Sequence, residues 1–171
     1  MSAAARAIKY ALSETDAPKL ILDSCDPGIL WSVNRNDYVV VSNLSDKPGC
    51  ATGRPGRANF WDCRSRTLLP SGDPRIEVEA KSFRVFRVVG RRSKFLDVLG
   101  ASHLRSLVDG AGRAEIGILA GRNTTFILRA SPKEVFVDGR PCPVKQELVD
   151  GYCHVTLQQC PPGERAISLR W

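Results

Sequence analysis

The chain has 171 residues, and 25 Lys and Arg against 18 Asp and Glu give it a formal net charge of +7. That length buries one good core and falls short of two ordinary ones, so a single domain with a short appendage is expected. With 43% hydrophobic and 25% charged residues the composition is that of an ordinary globular protein, and no apolar run approaches the roughly 18 residues needed to cross a bilayer, which leaves the membrane out as a partner.

Residues 3–14, AAARAIKYALSE, are rich in helix formers, and Ala4, Ile8 and Leu12 fall on one face, which predicts one short amphipathic N-terminal helix. Arg6, Lys9 and Glu14 interrupt the apolar stretch that a secretory leader requires, so a cytoplasmic location is expected. The helix ends before Pro18. KLILDSCDPGILWSV then reads as a short strand, a turn at Asp26-Pro27-Gly28, and an apolar segment through Trp31. Residues 1–36 are thus a helix and a connecting segment, and residues 37–171 a β domain.

DYVVVSNLS, at 37–45, is β-branched and of strand length. SDKPGCATGRPGRAN, at 45–59, holds five Gly or Pro in fifteen residues and reads as a loop, of a length that compact domains keep for binding or motion. ANFWDC is a strand, LLPSGDP a turn, and RIEVEAKSFRVFRVV alternates with period two: Ile76, Val78 and Ala80, then Phe83, Val85 and Val88 after a slip at Lys81 and Ser82 that marks a bend or bulge. Trp61 and Phe83 are the expected core anchors of this strand pair. Turn signals then recur about every ten residues, with Asp109-Gly110, Asp138-Gly139 and Asp150-Gly151 supplying the positive φ angles of tight hairpins. FLDVLG, HLRSLVDG, AEIGILAG and TTFILRA each read as one short strand. The fold class is mainly β: an antiparallel β-sandwich with one short N-terminal helix.

No catalytic constellation emerges. Six cysteines include no C-x-x-C pair, and His103 and His154 are the only histidines, so no metal and no cofactor are expected and the thiols read as reduced packing residues. Asp23, Asp26, Asp62 and Asp97 could supply a glycosidase carboxylate pair, but each reads first as a turn or capping aspartate. Ser102 and His103 are adjacent, and strand neighbours point to opposite faces, so GASH reads as a strand start with a half-buried histidine. No nucleophile elbow, phosphate loop or zinc-protease motif is present.

Two binding constellations remain. Trp31 and Trp61, with Asp62, are the weak carbohydrate-binding candidates, because sugars stack on exposed rings; the competing reading makes each tryptophan a core anchor. Arg54, Arg57, Arg64 and Arg66 cluster in the loop at 53–66 beside Phe60 and Trp61, the composition of a module that binds RNA or another polyanion through charge and stacking; the competing reading is a solvated basic loop.

The order of elements resembles the C-terminal β-sandwich found behind the catalytic barrel in glycoside hydrolases of the α-galactosidase and raffinose synthase type. AAARAIKYAL is similar to a last barrel helix, DYVVVSNLSD to the strand that follows the barrel, FWDCRSRTLL with IEVEAKSFRVFRV to the Trp-Asp, turn and alternating-strand pair, and DVLGASHLRSL to the next strand. The resemblance spans about Asp37 to Trp171. It implies a noncatalytic accessory domain of a carbohydrate-active enzyme, whose partner is a catalytic barrel domain or carbohydrate. The catalytic aspartates of such enzymes belong to the barrel, so no residue here inherits them.

Overall fold

Two strands flank the Asp26-Pro27-Gly28 turn, β1 (Leu22–Cys25) and β2 (Ile29–Val33), and they join different sheets. Gly28 supplies the positive φ of 88° that the turn requires. In the computed structural model the described residues are 22–33, 38–53, 59–69, 74–90, 92–110 and 112–171; the helix expected over 3–14 and the arginines Arg54 and Arg57 lie outside them. Among the described residues every regular element is a strand, so the chain is mainly β with antiparallel sheets.

Strand β1 pairs with β4 (Gly49–Gly53), which pairs with β7 (Arg75–Val78), making a three-stranded sheet. Strand β2 pairs with β3 (Tyr38–Asn43), followed by β8 (Phe83–Val89), β5 (Asn59–Asp62) and β6 (Thr67–Leu68), making a five-stranded sheet. One face of each meets the other around Leu22, Ile29, Val39, Val41, Ala51, Phe60, Ile76, Val78 and Phe86. Alternation puts every second residue of β3 into this core. Strand β1 and the turn after it fall where a short strand and a turn are expected, β2 forms from the apolar segment through Trp31, and β4 runs through the stretch 45–59 read as a loop. Gly49, Cys50, Ala51, Thr52 and Gly53 carry too little apolar bulk to show as a strand, yet the central position suits small residues: a Cβ on Gly53 would lie 2.7 Å from the Phe60 ring.

The second half of the chain is one antiparallel sheet folded over itself. Strands β9 (Phe95–Asp109) and β10 (Arg113–Leu128) pair along their whole length. The first half of β10 pairs with β15 (Gly163–Arg170), beyond which lie β11 (Glu134–Val137) and β12 (Arg140–Pro141); the second half pairs with β14 (Tyr152–Leu157) and then β13 (Val144–Val149). The sheet bends where the register jumps between Ala120 and Thr125. There Gly100 takes φ +71°, and a Cβ would meet the Asn123 carbonyl oxygen at 2.3 Å; a Cβ on Gly121 would meet the Gly100 oxygen at 2.2 Å. Only glycine fits this crossing. The two halves close on a core that includes Phe95, Leu104, Ile116, Ile118, Phe126, Leu128, Val155, Ile167 and Leu169.

Two strands of 15 and 16 residues therefore replace the four short ones expected, because the glycines that read as turn signals are bends. His103 sits inside β9 and is exposed rather than half-buried at a strand start. The Asp138-Gly139 and Asp150-Gly151 turns have both residues at positive φ, 50° and 76°, and 51° and 81°, as tight hairpins require. Phe83 is 61% exposed and is not a core anchor: the turn at Lys81, φ +52°, resets which face the alternation buries. Trp61 is fully buried, but in a separate cluster with Val89, Leu96 and Ile127 that joins the five-stranded sheet to the bent sheet.

Candidate functional site

Strand pairing sorts the five-stranded sheet's outward residues into rows. Leu30 lies opposite Ser42, which lies opposite Phe83; Ser32 lies opposite Val40, which lies opposite Val85; and Tyr38, Arg87, Trp61 and Leu68 form the last row. The last row is covered by the bent sheet. The first two are not: Leu30 is 49% and Phe83 61% exposed, Val40 and Val85 are half-buried, and Leu44, just past the end of β3, is 58% exposed. Isolated exposed leucines are ordinary, but adjacent large apolar side chains on one sheet face mark a contact surface.

Where this face passes under the bent sheet, a buried carboxylate anchors the junction. Asp97 accepts a hydrogen bond from the Tyr38 hydroxyl at 2.8 Å, from Trp61 Nε1 at 3.2 Å and from the Val98 N–H at 2.9 Å. Arg87 is also buried. Its Nη1 donates to the Phe95 and Leu96 carbonyls at 3.1 and 2.8 Å, and its guanidinium lies 4.5 Å from the Phe95 ring centre. Burial first, then the Asp97 charge and hydrogen bond, push the Tyr38 phenol far above its ordinary range. Burial, with Asp97 and Asp62, pushes the Cys63 thiol up to about 12. This buried network draws on β3, β5, β8 and β9 and fixes how two sheets meet.

The carbohydrate candidates do not converge. Trp61 and Asp62 are strand neighbours on opposite faces; Trp61 presents no ring to solvent and spends its N–H on Asp97. Asp62 is buried and saturated, accepting from the Arg64 and Ser65 N–H groups at 2.8 and 3.3 Å and forming an ion pair with Arg84. Burial raises its pKa, but the Arg84 hydrogen bond and the two backbone donors outweigh this and hold it below its ordinary value. Trp31, half-buried on the inward face of β2, packs against the first core. Of the basic candidates, Arg64 and Arg66 are exposed on the turn between β5 and β6, while Phe60 and Trp61 are buried and offer no stacking surface.

The thiols are not set up as nucleophiles. All six cysteines are free thiols, and those of Cys25, Cys63, Cys142 and Cys160 are shifted upward, with burial the leading cause in each, the opposite of what a thiolate nucleophile needs. A shallow cleft of about 640 Å³ near Cys142 and Cys160 is also lined by Arg165, but that guanidinium already donates to the Pro161, Pro162 and Glu164 carbonyls. Among the described residues no cluster of three or more His, Cys, Asp or Glu is placed to hold a metal ion. Sequence reading missed both Asp97, weighed as a turn aspartate although it lies mid-strand, and the open rows, because alternation shows that a strand has two faces and not which one is covered. Compared with known proteins, the chain matches no family model and no curated sequence.

Proposed function

We propose that this chain is a noncatalytic accessory β-sandwich of a carbohydrate-active enzyme, and that it works by packing on a catalytic barrel domain. The observation that carries the reading is the open apolar face of the five-stranded sheet, Leu30, Val40, Phe83 and Val85 with Leu44 at its margin. A domain that stabilises a partner needs a surface left unsatisfied on its own, beside a rigid support. Asp97 and its donors provide that support directly next to the open rows. The resemblance of the element order to the sandwich behind α-galactosidase-type barrels names the partner class. Sugar contact by the chain itself would fall to Trp31, the one carbohydrate candidate with exposed surface.

The test is coexpression with the catalytic barrel of an α-galactosidase-type enzyme deprived of its own sandwich. The wild-type chain is expected to copurify with the barrel and raise its melting temperature, and a Leu30→Ser, Phe83→Ser double variant to do neither while keeping its own fold. No association by the wild-type chain overturns the proposal.

A polyanion-binding reading rests on the exposed Arg64 and Arg66. It ranks second because the rings it would use for stacking are buried. Binding of short RNA to the 53–66 region that weakens steeply with salt would promote it.

A further inference from the structure

The bent sheet ends at β13, and this strand is an unusual edge. Natural edge strands are blunted by brevity, bulges, proline or charged side chains, and of these β13 carries only the charges of Lys145 and Glu147. Strand β13 runs six residues in unbroken register against β14 and pairs with no other strand among the described residues. Pro143 bounds it at one end and the Asp150-Gly151 turn at the other. Five of its six residues are exposed, and Leu148, at 79%, is the most exposed large apolar side chain in the described chain.

The backbone of this edge has one direction and one repeat. The Pro143 carbonyl accepts from the Gln158 N–H at 2.9 Å, so Pro143 faces β14. In an antiparallel ladder the facing alternates. Lys145, Glu147 and Val149 therefore spend their backbone groups on β14, and Val144, Gln146 and Leu148 turn theirs to the open edge.

We infer that β13 pairs with β13 of a second copy of this chain, antiparallel, about a two-fold axis at Gln146. In that register Gln146 faces its own counterpart and Val144 faces Leu148 twice, so all three outward N–H and C=O pairs are satisfied, and each exposed Leu148 lies against a Val144. Lys145 then stands opposite Glu147 twice, in the close non-hydrogen-bonded positions where cross-strand charge matters most. The neighbouring registers fail on charge. Centring on Glu147 sets two carboxylates face to face, and centring on Lys145 sets two ammonium groups together. Within one chain the Lys145 Nζ already lies 2.6 Å from Glu147 Oε1, with both side chains more than half exposed, so pairing would extend an existing couple into a four-charge ladder. The strand is thus complementary to itself in backbone, apolar contact and charge, as a closed two-fold interface demands.

The experiment is sedimentation equilibrium of the full chain, up to about 200 μM, where transient interfaces of modest area associate. The wild-type chain should approach twice its 18.8 kDa mass. Lys145→Glu and Glu147→Lys should each weaken the dimer by about tenfold or more, since two attractive pairs become repulsive, and the double exchange should restore it. Gln146→Pro, which removes an outward N–H at the axis and none facing β14, should give a folded monomer by amide spectrum. A wild-type chain that stays monomeric overturns the inference. So does a dimer indifferent to both single exchanges, which would place association elsewhere, for instance on the Leu30 and Phe83 face.

Discussion

Replacing Tyr38 with phenylalanine isolates what the buried junction is worth. The substitution keeps the ring that lies between β3 and the bent sheet and deletes one hydroxyl, the donor 2.8 Å from Asp97 Oδ1 across 59 residues of chain. A hydrogen bond to a charged acceptor contributes about 1.5–3 kcal/mol net, and loss of the donor leaves the acceptor part-unsatisfied in a buried site. Trp61 Nε1 and the Val98 N–H remain on the carboxylate, which puts the cost near the middle, about 2 kcal/mol. For a chain of this length that is a fall in melting temperature of about 4–8 °C. Differential scanning calorimetry reads it directly, and a double-mutant cycle assigns it: in an Asp97→Asn background, where the acceptor charge is gone, the same deletion should cost about half as much. A Tyr38→Phe melting temperature within about 1 °C of wild type would refute the view that this hydrogen bond ties the two sheets together.

The pH profile should carry the same network. Tyr38 and Cys63 both have folded-state pKa values raised above their ordinary ones; such groups stabilise fully below the unfolded pKa and lose that contribution as pH rises, so unfolding free energy should fall from about pH 9 upward. Cys63→Ala should flatten the part of that fall between about pH 9 and 12. Asp62 is shifted the other way; its contribution is present above its unfolded pKa and lost on acidification, so Asp62→Asn should remove part of the decline below about pH 4, followed by denaturant titration at several pH values. Gly100→Ala puts a methyl group into the Asn123 carbonyl at a backbone angle that alanine resists, and should cost about 2–4 kcal/mol or prevent folding of the bent sheet. Phe83→Ser, on the open face, should leave the melting temperature within about 2 °C of wild type and lower the binding of an apolar fluorescent dye.

Much of the fold was legible because turn chemistry is local. Asp138-Gly139 and Asp150-Gly151 announce hairpins through conformations few other pairs tolerate, and alternation in YVVVSN and RIEV marks strands without tertiary help. The failures share one physical origin. A glycine that bends a strand and a glycine that ends one look alike until the facing backbone is known, which is why Gly100 and Gly121 split two long strands into four on paper. GCATG lacks bulk because its neighbours supply it. Trp61 takes the core position expected of it and Phe83 does not, because alternation fixes spacing while the covering sheet decides burial. Asp97 becomes the centre of the junction only once Tyr38 and Trp61, from two other strands, arrive beside it.

The bend at Gly100 and Gly121 also sets an order of assembly. One hairpin, closed by the short connection between Asp109 and Arg113, supplies adjacent strands to both layers of the bent sheet, so a single local zipping event prepares two surfaces for collapse and costs little loop entropy. The strands of the first sandwich interleave along the chain, and β15 must return across some forty residues to reach β10. The β9–β10 hairpin is therefore the unit expected to form first, and Trp61, packed on Leu96 and Ile127, is placed to report by fluorescence when the N-terminal half docks on the bent sheet.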